Sequence, residues 1–127
     1  MANTGRSLVG GDEGIFLVPA YGKGPNFIVR EANGHRSREE VTVAQEAGGG
    51  RYPEGMVMQV DGNKFVPYTD GDAAGILWET IDVTESDRGV TIVCRDCEVQ
   101  RAMLIFADGA DKNKAYEDLA AAHVVMR

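Results

Sequence analysis

Residues 56–68 have the sequence Met-Val-Met-Gln-Val-Asp-Gly-Asn-Lys-Phe-Val-Pro-Tyr, which contains the clearest structural signal in the chain. Two runs of strand-forming residues flank Asp61-Gly62-Asn63, and this combination is typical of an antiparallel β-hairpin with a tight turn. Because Pro67 has no N–H group for a ladder hydrogen bond, the second strand is expected to lie at a sheet edge or to end there. The hairpin therefore predicts a β-rich fold.

Short apolar runs on both sides of the hairpin extend this prediction. β-branched and aromatic residues cluster in further segments, which are expected to be strands: residues 41–43, 75–78, 90–94, 104–106 and 124–126. One helix is predicted over residues 112–122, with Asp111 as its N-cap and Ala115, Leu119 and Ala122 on one apolar face. A helix of about three turns is marginal alone, so it must pack on the sheet. The predicted fold class is mainly β (α+β), a small β-rich body with one short helix and an extended N-terminal arm.

The composition is that of one globular domain. The chain has 127 residues, of which 43% are hydrophobic and 26% are charged, and this balance argues against a disordered chain. No apolar run approaches the roughly 18–20 residues of a membrane span, and residues 1–6 do not resemble a secretory signal. Two cysteines are too few for a disulfide scaffold. A protein of the cytoplasm is therefore expected.

The charge of the chain is acidic and unevenly distributed. Twenty Asp and Glu residues against 13 Lys and Arg residues give a net charge of −7 at pH 7. An acidic surface repels phosphate backbones and anionic lipids, so neither a nucleic acid nor a membrane is an expected partner. Basic and acidic residues balance within residues 1–40, and the whole acidic excess lies in residues 41–127.

The N-terminal part also differs in its glycine content. Residues 1–62 contain 12 of the 16 glycines, and glycine is costly to order inside helices and strands. Two strand-like apolar runs occur there: Ile15, Phe16, Leu17 and Val18, and then Phe27, Ile28 and Val29. Either the runs pair as a hairpin or one of them lies on the body, or they form an extended arm that adds a strand to another chain. The domain prediction is an arm at residues 1–40 and a β-rich body at residues 41–127.

The motif Cys94-Arg-Asp-Cys97 is the main candidate for chemistry. The first cysteine of a redox CxxC motif lies at a helix N-terminus, which lowers its pKa, whereas this motif follows a β-branched strand. A zinc site would need His35 and His123 as well, and these two lack paired-ligand spacing. We therefore interpret Cys94 as a small buried residue and Cys97 as a turn residue. Hydrolase and phosphate-loop motifs do not occur, so no enzymatic activity, metal or cofactor is expected.

Aromatic side chains suggest an alternative class of function. Trp78, Tyr52 and Tyr68 would form a stacking surface in a β module that binds a sugar or a peptide. A single Trp after an apolar strand is more often part of a core or of a subunit interface. Redox or zinc chemistry at the two cysteines is a third hypothesis.

Several short segments occur in a characteristic order. They are residues 53–57, the hairpin into residues 64–68, residues 72–77, a polar link at residues 82–88, residues 90–95, residues 102–106 and a short helix before Val124-Val125. Upstream lie residues 27–34, followed by Ser37-Arg38-Glu39. In this order and spacing, residues 27–127 resemble the lambda-type phage head decoration proteins, the protein D family. The Gly-rich residues 1–26, Trp78 and the paired cysteines depart from the family pattern.

The resemblance implies a structural protein of the virion. Such proteins form homotrimers on the outer face of an icosahedral capsid at three-fold sites and stabilise the expanded shell. Their N-terminal segments reach the major capsid protein and pair with its strands. The capsid-binding arm would then comprise Ile15, Phe16, Leu17, Val18, Phe27, Ile28 and Val29, with Trp78, Leu104 and Phe106 as candidates for the subunit interface. The protein would be made in the host cytoplasm and assembled onto the capsid surface.

Overall fold

Five strands close into a small barrel in the computed structural model, which describes residues 25–32 and 36–127. The strands of these residues are β1 (Ile28–Glu31), β2 (Arg38–Val43), β3 (Arg51–Tyr52), β4 (Val57–Asp61), β5 (Lys64–Pro67), β6 (Ala73–Leu77), β7 (Ile81–Asp82), β8 (Arg88–Val93), β9 (Cys97–Val99) and β10 (Val124–Met126). An α-helix, α1 (Lys112–Ala121), and a 3₁₀ turn at Arg101–Met103 complete the elements of this part of the chain. The predicted β-rich body with one short helix is confirmed. No helix among the described residues has both the length and the apolar composition that a membrane crossing requires.

The predicted hairpin forms two neighbouring strands of the barrel. β4 and β5 pair antiparallel, from Met58 opposite Pro67 to Asp61 opposite Lys64. Gly62 lies in the turn at φ +70°, a left-handed conformation that favours glycine and matches the twist of the two strands. β5 ends at Pro67, as the missing N–H of proline predicts.

The barrel has the strand order β2-β5-β4-β6-β8 and is closed by β2. β2 pairs antiparallel with β8 along all six of its residues. On its other side, β2 meets β5 in parallel at Val43 and Phe65, next to a hydrogen bond of 3.0 Å from the Ala44 N–H to the Phe65 carbonyl. This closure leaves neither β5 nor β8 as an open edge.

The barrel strands β4 and β6 are buried on both faces. Met58 and Leu77 belong to one cluster of buried side chains, which also contains residues of β2, β7 and β8. Their chain neighbours Val57 and Ile76 belong to a second cluster, together with residues of β1, β9, β10 and α1. Because successive side chains of a strand point to opposite faces, the first cluster fills the barrel and the second packs its outer face against the remaining elements.

The outer layer consists of the sheet β1-β9-β10 and the helix α1. β9 is the central strand, with β1 antiparallel and β10 parallel to it. The helix begins as predicted: the Asp111 carboxylate accepts a hydrogen bond from the Lys114 N–H at 3.2 Å, and Ala115 and Leu119 are buried. The hydroxyl of the wholly buried Tyr68 donates to the Asp111 carbonyl at 2.9 Å, and this bond joins the hairpin to the start of the helix.

The sequence does not predict the short strands β3, β7 and β9. β3 pairs with β7, and β9 lies between β1 and β10. Runs of two or three residues contain too little alternation of apolar and polar side chains to be identified as strands. The predicted strand at residues 104–106 is wrong, because the chain there follows a 3₁₀ turn and then makes an isolated bridge between Met56 and Ile105. The N–H of Ile105 donates to the Gly55 carbonyl at 2.9 Å, and its carbonyl accepts from the Val57 N–H at 3.0 Å.

The structure places part of the predicted arm within the body. β1 belongs to the outer sheet and β2 to the barrel. Residues 28–31 and 38–40 are therefore strands of the body and not part of an arm that extends away from it. β2 begins with Arg38, Glu39 and Glu40, which are exposed or half-buried. A polar run of this kind gives no sequence signal for a barrel strand, because the signal is an apolar face. Residues 1–24 lie outside the described part of the chain.

Replacement of Gly55 by Ala is expected to destabilise the protein. Gly55 has φ +90°, and an added Cβ would lie 2.8 Å from the carbonyl oxygen of Met103, so both the backbone and the available space disfavour a side chain. We expect the free energy of unfolding, measured by urea denaturation, to fall by about 2–4 kcal/mol. Gly89→Ala is the matched control, because a Cβ added there meets nothing within 4 Å. Equal stability of the two variants would contradict the prediction.

Candidate interaction surface

The described chain enters the body at Pro25 and Asn26, and hydrogen bonds fix this entry point. The N–H of Asn26 donates to the Glu54 carboxylate at 2.8 Å. The side-chain amide of Gln100 donates to the Asn26 carbonyl at 3.0 Å, and its backbone N–H donates to the Phe27 carbonyl at 2.8 Å. Residue 25, where the described chain begins, therefore lies next to β9 and the 3₁₀ turn.

The second apolar run of the predicted arm lies mostly inside the body. Phe27 and Ile28 belong to the outer-layer core and are only 1% and 9% exposed. β1 pairs with β9 of the same chain, which corresponds to the sequence alternative in which one run lies on the body. In this state only Val29 of the three is exposed, so Phe27 and Ile28 are not free to contact another chain. The first run, Ile15, Phe16, Leu17 and Val18, lies outside the described residues.

Exposed apolar side chains lie on the elements next to the entry point. Val29 and Val125 are on the outer sheet, Met103 is in the 3₁₀ turn, and Ile105 follows that turn. Each of the four is more than a third exposed, as is Val60 on β4 of the barrel. Because the four lie on elements next to the entry point, they are available to a molecule that binds there.

The three residues predicted for a subunit interface have different environments. Leu104 is buried in the outer-layer core. Phe106 is half-buried and meets the ring of Tyr68 edge-on at 6.5 Å between centroids. Trp78 is half-buried against the same core. Of the three, only Trp78 and Phe106 retain surface that a second copy could contact.

Trp78 is partly covered by Arg38 of its own chain. The guanidinium carbon of Arg38 lies 3.9 Å from the centroid of the indole ring, a cation–π contact. Two N–H groups of Arg38 donate to the two carboxylate oxygens of Glu31 at 2.8 and 2.9 Å, and these hydrogen bonds raise the pKa of Arg38. The Ser37 hydroxyl donates to the same carboxylate at 2.5 Å. This cluster joins β1 to β2, and with them the outer sheet to the barrel.

A basic depression lies close to the entry point. Its volume is about 570 Å³, and it is lined by Arg101, Ala102, Leu104, Phe106, Lys112, Tyr116 and Arg127. The Arg101 guanidinium lies 5.0 Å from the Tyr116 ring, and the Lys112 ammonium lies 5.6 Å from the Phe106 ring. No sequence pattern indicates this site, because its residues come from three separate stretches of the chain, 101–106, 112–116 and 127.

A family model described as bacteriophage lambda head decoration protein D matches residues 23–125. The chain belongs to this family. The match begins just before the entry point and covers the barrel, the helix and nearly all of the outer sheet. The predicted family is thereby confirmed, and the head decoration protein is a structural protein of the phage capsid. A search of curated proteins found no match.

The aromatic residues of the head decoration protein do not form the stacking surface that the ligand-binding alternative needs. Tyr68 is wholly buried and Tyr52 is buried in the barrel cluster, and burial raises the pKa of both hydroxyls. Trp78 packs against the outer-layer core instead. Rings that are divided between two cores do not present one face to a sugar or a peptide.

The two cysteines of the head decoration protein are buried in the reverse of the predicted order. Cys97 is buried at the start of β9, whereas Cys94 is half-buried just after β8. Asp96 between them has φ +52°, so the backbone turns there and Cys97 enters the outer sheet. Burial raises the pKa of Cys94 and raises that of Cys97 to about 12, which is opposite to the shift of a reactive thiol.

The histidines of the zinc hypothesis do not complete a site with these cysteines in the described residues. His123 has its Nδ1 atom 3.8 Å from an Asp96 carboxylate oxygen. No group of three His, Cys, Asp or Glu side chains suited to a metal occurs in residues 25–32 and 36–127. His35 lies outside these residues.

Arg38→Ala is expected to expose Trp78 to water. Trp78 is the single tryptophan of the chain, so tryptophan fluorescence reports on the environment of this one residue. We expect the emission maximum to shift to longer wavelength. The free energy of unfolding should fall by about 1–3 kcal/mol, because Glu31 loses two hydrogen bonds. The exposed Arg88→Ala is the control, and an identical emission spectrum for the two variants would contradict the assignment.

Both thiols of the native protein should react slowly with a disulfide reagent such as DTNB at pH 8. Only a thiolate attacks the reagent, and a thiol with a pKa of about 12 is almost wholly protonated at that pH. We expect Cys97 to react at least about a hundredfold more slowly than a free cysteine, with Cys94 reacting first. Cys94→Ser and Cys97→Ser assign the two phases, and denatured protein gives the reference rate. A fast native reaction of Cys97 would show an activated thiol.

Proposed function

We propose that this head decoration protein binds the outer surface of the expanded phage head as a homotrimer and stabilises the shell through contacts with the major capsid protein. The observation that carries the proposal is the family match over residues 23–125, because it spans nearly the whole described body. Two further features support it. They are the fixed entry point of the N-terminal segment and the exposed apolar side chains around it.

The capsid-binding arm of this proposal is the segment before residue 25. Its strand-forming run is Ile15, Phe16, Leu17 and Val18. A strand added to a free edge of the capsid protein satisfies main-chain hydrogen bonds of both chains, while alternate side chains enter pockets. Each buried Phe or Leu contributes roughly 1.5–3 kcal/mol, against the cost of ordering a glycine-rich segment. Residues 1–24 have two basic and two acidic side chains, so no net charge opposes their approach to the shell.

Phe27 and Ile28 hold the arm to the body in this proposal, instead of contacting the capsid. The buried ring of Phe27 lies beside Gly55, where an added Cβ would be 3.7 Å from the ring. The hydrogen bonds of Glu54 and Gln100 fix the chain at the same point. In this proposal the arm is therefore attached to the body through buried side chains and not only through surface contacts.

Trimerisation multiplies the effect of a single arm. Three arms on one trimer raise the effective concentration of each arm once the first has bound, so a modest affinity per arm is sufficient. A ring of three copies needs two different patches on each copy, because the contact around a three-fold axis is heterologous. Trp78 is assigned to this interface, since it is half-buried within one copy, whereas Phe106 lines the basic depression beside the entry point. Stabilisation of the shell follows by mass action, because the protein binds the expanded form.

Deletion of residues 1–24 should weaken binding to expanded capsids and leave the body folded. The cut is made before Pro25 because Asn26 and Phe27 make contacts with the body. We expect the concentration for half-saturation, measured by co-sedimentation with purified expanded capsids, to rise by at least about a hundredfold.

A full-length variant with Ile15, Phe16, Leu17 and Val18 all replaced by Ser is the matched control for chain length, and it should bind as weakly as the deletion. Native mass spectrometry should show trimers for the wild type and for both variants, with unchanged thermal unfolding. Undiminished capsid occupancy by the truncated protein would show that the body holds the shell. Monomers in solution and isolated single copies on the capsid would contradict the trimer.

A further inference from the structure

The acidic residues of the head decoration protein are concentrated in one part of the chain. Residues 41–94 have nine acidic and three basic side chains, whereas residues 95–127 have six acidic and five basic side chains. The basic depression belongs to the second region and brings together Arg101, Lys112 and Arg127. Although the chain has a net charge of −7, all the charged side chains that line this depression are basic.

Two of these cations have no carboxylate partner among residues 25–32 and 36–127. Neither Arg101 nor Lys112 lies within 4.0 Å of an Asp or Glu oxygen of that part of the chain. The third cation, Arg127, donates to Glu98 at 2.8 Å. Since a guanidinium has five N–H donors, Arg127 also retains donors beyond that bond.

Aromatic rings support the two unpaired cations. Arg101 lies over Tyr116 and Lys112 over Phe106, and the two rings meet edge-on at 5.9 Å between centroids. A cation–π contact holds the charged group through the ring face and leaves its N–H groups available to an anion. The rings also exclude water from one side of the site, which strengthens the attraction between opposite charges.

The depression begins one residue along the chain from Gln100, which fixes the start of the described chain. Gln100, which binds the carbonyl of Asn26, directly precedes Arg101. The Arg101 N–H donates to the Arg127 carbonyl at 3.0 Å, so the backbones of these two residues lie side by side. A molecule that holds the arm is therefore brought close to the depression.

We propose that the basic depression binds an Asp or Glu side chain of the major capsid protein, beside the attachment of the arm. The inference rests on the proposed function, because it takes the capsid as the partner of the arm. Arg101 offers the paired N–H groups that a carboxylate accepts in a bidentate pair, and Lys112 offers a further donor. The contact gives an acidic body an attractive interaction with the shell, in addition to the uncharged strand pairing of the arm.

A carboxylate of a second copy is the competing occupant of the depression. The position of the arm favours the capsid, because the arm reaches the shell from this part of the body and the depression adjoins its entry point. The acidic surplus of another copy lies mainly in residues 41–94, which form most of the barrel and its small sheet β3-β7. The two occupants make different predictions for cross-linking and for trimer formation.

Carbodiimide coupling identifies the partner of Lys112 directly. The reagent activates a carboxylate, the Lys112 amine displaces the activated group, and an amide forms as the carbodiimide leaves as a urea. On decorated capsids we expect an amide between Lys112 and an Asp or Glu of the major capsid protein, detected by mass spectrometry of the digest. Lys112→Arg keeps the charge but has no amine for this reaction, so it should retain binding and lose the link. An amide from Lys112 to a second copy, or none while other lysines couple to the capsid, would overturn the proposal.

Charge reversal measures the contribution of the site. The double variant R101E/K112E should bind expanded capsids at least about tenfold more weakly than the wild type in low salt, because like charges then meet at the contact. R51E/R88E makes the same change in net charge on β3 and β8, and it should bind within about twofold of the wild type. If R101E/K112E does not fold, R101Q/K112Q replaces it, because this variant removes the two charges and keeps long side chains. Its binding to expanded capsids should depend less on salt concentration than that of the wild type.

The outcomes separate this inference from the proposed function. If the wild type fails to bind expanded capsids, the proposed function is wrong and the inference falls with it. If the wild type binds and R101E/K112E binds equally well, only the inference is wrong. Loss of the trimer in R101E/K112E, seen by native mass spectrometry, would assign the depression to the contact between copies and would also overturn the inference.

Discussion

The strand β2 pairs with β8 along its whole length and meets β5 on its other side, and this closure determines where the other layers lie. An open sheet would leave two edges unpaired and would separate the side chains that fill the barrel. β2 also carries Arg38, which holds Glu31 of β1 and covers Trp78. One strand thus sets both the shape of the barrel and the position of the outer sheet.

Burial of the central strands on two faces explains why a short chain needs both a barrel and an outer layer. Val57 and Met58 are neighbours in sequence but belong to different cores, so one strand contributes to both. The outer layer is also where the N-terminal segment enters and where the basic depression lies. The proposed interaction surface therefore lies on the layer that completes the hydrophobic core, whereas most of the acidic excess lies in residues 41–94, which include most of the barrel.

Local chemistry made the hairpin, its end at Pro67 and the capped helix predictable, because each depends on residues close in sequence. The pairing of β1 with β9 was not predictable, since an apolar run does not reveal whether its own chain or another chain will cover it. The order of burial of Cys94 and Cys97 depends on the left-handed backbone of Asp96, which no sequence pattern indicated. The basic depression brings together the 3₁₀ turn, α1 and Arg127, which form separate stretches of the chain, so its residues carried no common signal.

The pairing of β1 with β9 has a consequence for the folding of the chain. Asn26 and Gln100 are hydrogen-bonded across 74 positions, and contacts so distant in sequence form late because a long loop must close first. During synthesis, Phe27 and Ile28 leave the ribosome long before the strand that covers them. Until then the run is an exposed apolar segment that can pair with other nascent chains. Completion of the chain through β9 is thus the event that covers this run.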